Sequence, residues 1–338
     1  MNKINNFSCI LCNSNDLVFE IKVRDNDKSE IFKCKKCNMI QLHPRLEIKR
    51  ERVEEGKLDS QDINRSYSSK DYNKNKNINY SFNTNASKEE ISIHNKMTHV
   101  IEADRYRFLD HFKKALKKHD LNEKGLNVLD VGCGYGYWCH TLNENYNFNV
   151  LGMDLNINKV LYGKNKLKLN FDFIEKVIED EKFILSKENQ FDIITCWHVI
   201  EHVYNPIIFI NNIRRLLKKG GIFLFELPNE DDELFDISLE YKKLIHFQDH
   251  CNYFNRETLK YLFKKSNIEN KDYDIKCCQR YGFYNYVDWI KYGTKSKVES
   301  DDYININDKP RSNIEKIWLK YREENFNADT LYGSFINR

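Results

Sequence analysis

The sequence has no excess of either charge: 54 Lys and Arg against 51 Asp and Glu leave a formal +3 over 338 residues. A domain that grips a polyanion is strongly basic, so no nucleic-acid partner is expected. Long apolar runs are missing too. No stretch approaches the roughly 18 uninterrupted apolar residues of a membrane span. The opening MNKINNFSCILCNSN has no apolar segment of secretory-signal length behind its charge. No internal repeat of solenoid length is visible. Glycine is scarce, at 12 residues. What the chain does have, 41% hydrophobic and 13% aromatic residues, suffices for a core and excludes a disordered protein. Ten cysteines are present, but four form two CxxC pairs and most others sit in strand- or helix-like segments. That placement fits a reducing, cytoplasmic setting better than a disulfide framework.

Three of the few glycines fall within five residues, in VLDVGCGYGYWCH at 128–140. The strand-like run ends near Asp130, Gly132-x-Gly134-x-Gly136 follows, and a helix is expected from about Tyr137. A strand–turn–helix of this kind lets a ligand touch the main chain. The spacing is GxGxG rather than the GxGxxG that holds a dinucleotide pyrophosphate. The acidic residue before the loop would repel phosphate and suit a cation. Asp154, at the end of the next strand, is placed to accept hydrogen bonds from ribose hydroxyls. The alternative is a tight turn that holds no ligand.

Around the loop, strand-like runs at 127–132, 149–154, 171–175, 191–197 and 221–227 alternate with segments of helical spacing. That order predicts an α/β, doubly wound, mostly parallel sheet covered on both faces. In NPIIFINNIRRLLKKGG, Asn205 is the expected N-cap, Pro206 the first helical residue, Ile210, Ile213 and Leu217 the buried stripe, and Lys218–Gly220 the close. A helix is also expected from about Ile91 to His119. From Tyr273 onward we expect the last antiparallel strands, then a helix around Ile314–Tyr321. The aromatic run RYGFYNYVDW at 280–289 reads as packing in preference to an acceptor pocket.

The ordered set VLDVGCGYG, GMDLN, FDIITCWHVIEHVYNP, LLKKGGIFLFELPN and HFQDHCNYFNRETLKYLF resembles the class I S-adenosylmethionine-dependent methyltransferases, from about Val128 to Ile268. The resemblance implies a Rossmann-like methyltransferase fold. It also implies that Asp130 and the loop Gly132, Cys133, Gly134, Tyr135, Gly136 cradle the methionine part of the cofactor. Asp154 would hold the ribose and Leu155 would lie beside the adenine. The adenine-amine contact is expected near KVIED at 176–180, on no particular residue. Trp138, Tyr135 or Trp197 would face the sulfonium through a cation–π contact, unless each is simply packed in the core.

Cys9-x-x-Cys12 and Cys34-x-x-Cys37 fit the closed four-thiolate shell of structural zinc, which a unit this small needs as a staple. CKKCNMIQLHP resembles the zinc-ribbon knuckle preceding many sugar-modifying and cell-surface-polysaccharide methyltransferases. The expected organisation is therefore a zinc ribbon at 1–46, a polar linker and mobile arm at 47–95, and a methyltransferase domain at 96–338 with a lid around 229–256. That resemblance implies a small-molecule acceptor, a sugar or sugar nucleotide hydroxyl in carbohydrate biosynthesis; no oligomeric state follows.

The remaining signal is WHVIEHVYNP with HFQDH: His198, Glu201 and His202 after the fourth strand, His246 and His250 after the fifth. Residues i, i+3 and i+4 share a face of a helical turn. A hydroxyl acceptor must lose a proton, and a positioned histidine serves as its base. His198 and His202 lead as candidates, with His250 next. HVIEH also matches the inverted zinc-peptidase pattern, but that needs a continuous helix, which Asn205-Pro206 interrupts. A second alternative is a divalent metal held by Glu201, His202 and His246 or His250, as in RNA-end and quinone-pathway methyltransferases, which usually carry Glu where this chain has His198. A third has His202 only orienting the loop while Glu201 pairs with a neighbouring base. At the level of the whole protein, an NAD-dependent oxidoreductase and a non-catalytic zinc-ribbon binding module remain as competing readings.

Overall fold

The computed structural model describes residues 7–23, 29–44, 88–121, 124–247, 250–294 and 312–338. The N-terminal unit contributes three antiparallel strands, β1 (Leu17–Lys22), β2 (Glu30–Cys34) and β3 (Ile40–His43). A long helix, α1 (Lys88–His119), follows. It begins inside the stretch read as linker. The rest of that polar stretch, to residue 87, lies outside the described residues.

The alternating pattern then unfolds as read: β4 (Asn127–Val131), α2 (Tyr137–Asn145), β5 (Asn149–Asp154), α3 (Ile157–Asn165), β6 (Asp172–Glu175), α4 (Glu181–Lys187), β7 (Phe191–Trp197), α5 (Pro206–Leu216) and β8 (Leu217–Pro228). After two short helices, α6 (Leu234–Ile237) and α7 (Leu239–Ile245), come β9 (Asn252–Tyr253), α8 (Arg256–Lys265), β10 (Tyr273–Cys278), α9 (Phe283–Tyr292), α10 (Asn313–Glu324) and β11 (Thr330–Ile336). The main sheet has the order β10-β11-β8-β7-β4-β5-β6. β4 to β8 run parallel, and β11 and β10 are antiparallel additions at the edge. This is a Rossmann-like, doubly wound fold with a mostly parallel central sheet. No described helix is long and apolar enough to cross a membrane.

The sequence explains why these strands are central. Val128, Leu129 and Val131, like Ile193, Ile194 and Cys196, are buried on both faces of the sheet, as strands with helices above and below require. Helix α5 starts as its residues dictate: the Asn205 side chain accepts from the Ile207 and Ile208 amides, and Pro206 occupies the first turn. Its buried face is Phe209, Ile210, Ile213 and Leu216, each contributing about 1.5–3 kcal/mol of burial. The helix ends earlier than expected. Leu217 already pairs with Phe191 in the sheet, because an apolar residue beside a buried strand gains more from the ladder than from another helical turn. The chain's end also differs from expectation: one strand precedes the terminal helices and one follows them. β11 inserts between β8 and β10, so the last residues of the chain complete the sheet. From the aromatic run, Phe283 and Tyr286 pack on Trp318 and Trp289 on Tyr241, supporting the packing role.

The N-terminal unit does not stand apart. β9, from beyond β8, joins its sheet beside β3. The unit's small core of Val23, Ile31, Ile40 and Leu42 is completed by Cys251 and Tyr253. On its other side Cys9, Leu11, Cys34 and Met39 merge with the main core, and Lys242 reaches Glu20 at 2.6 Å. The segment read as a lid is thus the strip on which the ribbon is seated.

Arg322 of α10 is completely buried. Its guanidinium binds Asp232, donates to Glu233 at 2.9 Å and to Gln279 at 3.2 Å, which pins α10 to the chain segments after β8 and β10. Arg322→Met leaves Asp232 buried without its cation and is expected to lower stability by about 3–5 kcal/mol, read as a fall in the urea midpoint.

Candidate functional site

Parallel strands bring their carboxyl ends to one edge, so the residues following β4, β5, β7 and β8 meet there. The glycine loop lies at this edge. Gly132, Gly134 and Gly136 all have positive φ, at 79°, 54° and 83°, a region closed to most side chains. A Cβ on Gly132 would stand 2.3 Å from the Val199 side chain. The loop therefore rests directly on the turn that carries His198, Glu201 and His202. At Gly134 a Cβ would meet no protein atom within 4 Å. Packing does not demand glycine there, and the open space leaves the backbone accessible to a ligand.

Four of the loop's five amides are already committed. Gly132 and Cys133 donate to the Met153 carbonyl, Gly136 to the Cys133 carbonyl, and Gly134 to the Asp154 carboxylate at 2.7 Å. A pyrophosphate needs such amides free and would lie against that carboxylate, so the dinucleotide reading loses its physical basis. Asp154 also accepts from the Asn156 amide at 2.7 Å. With one amide on each oxygen, the half-buried carboxylate is held rigid and keeps lone pairs for hydroxyl donors. Leu155 beside it is half-buried. Asp130 lies beneath the loop, where Thr195 donates to it at 2.7 Å and Cys139 at 3.6 Å. Burial pushes its carboxyl up to about 7, which weakens its role as a fixed anion and makes it part of the loop's footing. In the 176–180 segment, Asp180 is the N-cap of α4, accepting from Phe183, and binds Lys176 at 2.7 Å. Trp197 is buried and stacks on Phe108 at 4.5 Å, with Trp138 edge-on at 5.6 Å. Its Nε1 has no partner among the described residues. Tyr135 is half-buried near Tyr137 and Tyr162.

The histidines separate into three kinds. His198 adopts φ +55°, rare for such a residue. Its Nε2 lies 2.9 Å from Glu226 and its Nδ1 3.4 Å from Glu201. Burial and nearby Arg280 pull its pKa down, but the two carboxylates outweigh them and the net shift is upward. Both ring nitrogens of His198 are thus engaged by carboxylates, which ties the ring into a structural network. His202 and His250 lie ring to ring at 4.9 Å. Glu201, His202 and His250 each offer a ligand atom within 4.8 Å of the others, and Glu201 Oε2 is buried with no hydrogen-bond partner among the described residues. His246 does not join them. Its two nitrogens face the Lys242 carbonyl at 2.8 Å and Glu230 at 3.0 Å, which makes it a brace.

Glu226 is a buried neighbour of the site that the sequence reading did not single out. It lies two residues before the end of β8, with no exposed surface. Arg107 of α1 binds it at 2.7 Å, and His111 approaches at 3.3 Å. Burial alone would raise its pKa, but Arg107 and the histidine contacts hold it well below the carboxylate range. Its signal was visible: one carboxylate inside the apolar run GIFLFELP. Arg107 and Arg280 share Asp104, at 2.8 and 2.7 Å, which extends the charge network along α1.

At the ribbon, the Cys9–Cys37 and Cys12–Cys34 sulfurs lie 3.4 and 3.6 Å apart, and all four lie within 4.8 Å of one another. Disulfide sulfurs lie about 2.05 Å apart. Sulfurs around tetrahedral zinc lie about 3.8 Å apart, given a bond near 2.3 Å, so the donor set fits that ion. Contact with Cys37 outweighs burial and lowers the Cys9 thiol to about 5, favouring a thiolate.

A family described as "Methyltransferase domain" matches residues 101–272, just over half of the chain. The chain belongs to the methyltransferase family. Among curated relatives, the chain is 33% identical over 140 residues to a ubiquinone biosynthesis O-methyltransferase of Coxiella burnetii, covering 40% of this chain and 54% of the relative. It is 34% identical over 134 residues to an uncharacterised protein of Methanocaldococcus jannaschii, covering 38% and 54%. The chain thus spans about half the length of the curated relatives it matches. A solved SAM-dependent methyltransferase from Archaeoglobus fulgidus aligns at 15% identity over 70% of this chain and 93% of that one, with a TM-score of 0.45.

The upward shift at His198 has a pH signature. A raised pKa stabilises the folded chain fully below the unfolded value, about 6.5, and this stabilisation is lost as pH rises through the folded value. The stability cost of His198→Gln is therefore expected to be largest in mildly acidic buffer and to shrink on raising the pH, as measured by urea unfolding across a pH series.

Proposed function

We propose that this protein transfers a methyl group from S-adenosylmethionine to a hydroxyl of a small molecule. The observation that carries the reading is the contact of Gly132 with Val199, which joins a ligand-ready glycine loop to the Glu201–His202–His250 cluster at one sheet edge. Gly132–Gly136, supported by Asp130, hold the methionine part. Asp154 takes the ribose hydroxyls, Leu155 flanks the adenine and Trp197 faces the sulfonium. When bound, the cofactor supplies an electrophilic methyl group whose sulfur departs with the bonding electron pair. The chain's contribution is alignment and deprotonation: the acceptor oxygen is brought in line with the methyl group, and its proton passes to His202 or His250. A base so placed is worth about 10²–10⁴-fold. His198, with both ring nitrogens facing carboxylates, positions Glu201 and does not take the proton.

A sugar or sugar nucleotide of a surface-polysaccharide pathway is the proposed acceptor, supported by the resemblance of the cysteine knuckle and the domain behind it. Structural zinc on Cys9, Cys12, Cys34 and Cys37 belongs to the same reading. A second reading is favoured by the unpartnered Glu201 oxygen and by relatives named for ubiquinone biosynthesis. In it Glu201, His202 and His250 hold a divalent ion, which would make the hydroxyl of a quinone precursor more acidic.

Calorimetry with S-adenosylhomocysteine tests the cofactor assignment. Asp154→Ala is expected to weaken binding well over tenfold, more than about 1.4 kcal/mol; unchanged affinity, or preferential binding of NAD, overturns it. His202→Gln and His250→Gln should each lower turnover with little change in that affinity, measured with labelled methyl donor offered to nucleotide sugars and to quinone precursors. Turnover that survives chelation supports the base reading; turnover abolished by chelation and restored by a divalent ion supports the second.

A further inference from the structure

The ribbon's third strand and the candidate site share one short piece of chain. β3 pairs with β9 through Ile40 with Tyr253 and Gln41 with Asn252, and the Leu42 amide donates to the Cys251 carbonyl at 3.1 Å. On its other edge the same piece holds the histidine turn. The Cys251 and Asn252 amides both donate to the Glu201 carbonyl, at 2.8 and 2.9 Å. The Asn252 side-chain amide donates to the carbonyls of Val203 at 2.8 Å and Ile200 at 3.2 Å. Asn252 is entirely buried, so three carbonyls of the turn depend on this residue and its neighbour in a place water does not reach.

The chain of contacts continues to the cysteines. Gln41, also buried, accepts from the Ile10 amide at 2.9 Å and donates to the Ser8 carbonyl at 3.2 Å, on either side of Cys9. The first cysteine knuckle is thereby locked to β3, β3 to β9, and β9 to the backbone of Ile200–Val203. The ribbon's core is incomplete without Cys251 and Tyr253, so ribbon and turn cannot move independently.

We infer that the cysteine ribbon is a positioning module for methyl transfer, and that Asn252 is the positioning residue through which it sets Glu201 and His202 beside His250. This rests on the proposed role of those three residues, but the coupling itself can be measured without an acceptor. The ribbon binds no substrate in this view; it supplies the rigid edge that a turn with a left-handed histidine and an irregular backbone cannot supply for itself.

The test uses the full chain and three variants. Asn252→Ala removes the two side-chain donors. Asn252→Asp, nearly the same size, turns an acceptor toward those carbonyls. Gln41→Leu cuts the link to the knuckle while leaving the β3–β9 backbone pairing in place. Hydrogen exchange at amides 200–203 and 251–252 is expected to rise at least tenfold in all three, with amides of the 132–136 loop unchanged. S-adenosylhomocysteine affinity should stay within about threefold. The kcat should fall about tenfold or more with KM little altered, and Asn252→Asp should be worse than Asn252→Ala. Unchanged exchange at 200–203 in Asn252→Ala and Gln41→Leu overturns the coupling. Equal loosening of the 132–136 loop with loss of cofactor affinity also overturns it, because the ribbon would then only hold up the whole fold. Altered exchange with unchanged kcat leaves the coupling standing and refutes the assigned role of Glu201, His202 and His250 instead.

Discussion

A carboxylate with no exposed surface must have its charge answered on the spot, because burying an unpaired anion costs several kcal/mol. Glu226 is that carboxylate. Placed at the end of the strand next to β7, it draws Arg107 out of the long N-terminal helix, His111 from the next turn of that helix, and His198 from the turn after β7. One buried anion thus ties α1 to the sheet edge and helps shift the pKa of His198 upward. His198 in turn leans on Glu201, so the electrostatics of the candidate site are set one step behind it. This also explains a left-handed histidine: two carboxylates and an amide bond to the Glu226 carbonyl over-determine a conformation that is otherwise unfavourable.

The site is enclosed by parts from distant places in the chain. The glycine loop and Asp154 come from the first two strand ends, the Glu201 turn from the fourth, and His250 from the strip on which the ribbon is seated. Each is fixed by hydrogen bonds to main chain more than by side-chain packing. Asp154 clamps the Gly134 amide, and Asn252 clamps the turn's carbonyls. Backbone clamps suit a reaction whose demand is alignment, since a displacement at carbon loses rate quickly when donor and acceptor are misplaced.

Much of this was legible along the sequence. The parallel strands read as apolar runs because both faces are covered, and Asn205-Pro206 marked the start of α5 by the chemistry of a helix N-terminus. The glycine spacing marked a turn with three left-handed glycines, and the two CxxC pairs marked a cluster of four sulfurs. Other features were not legible. Nothing local distinguishes His246, hydrogen-bonded to Glu230, from His250, four residues on and facing His202. Glu226 stood out as a charge among apolar residues, but its partner Arg107 lies 119 positions away. The strand order at the C-terminal edge depends on β11 inserting between β8 and β10, a choice made by three-dimensional pairing.

By itself, then, the sequence determined the class of fold, the left-handed glycine turn and the grouping of four cysteines, because each rests on periodicity or spacing within a few residues of chain. Tertiary structure alone decided which histidines converge, which one lies between two carboxylates and how the ribbon grips the turn. Those outcomes depend on burial and on carboxylates brought in from elsewhere, and no local pattern encodes the distance between a histidine on one strand end and a glutamate on the next.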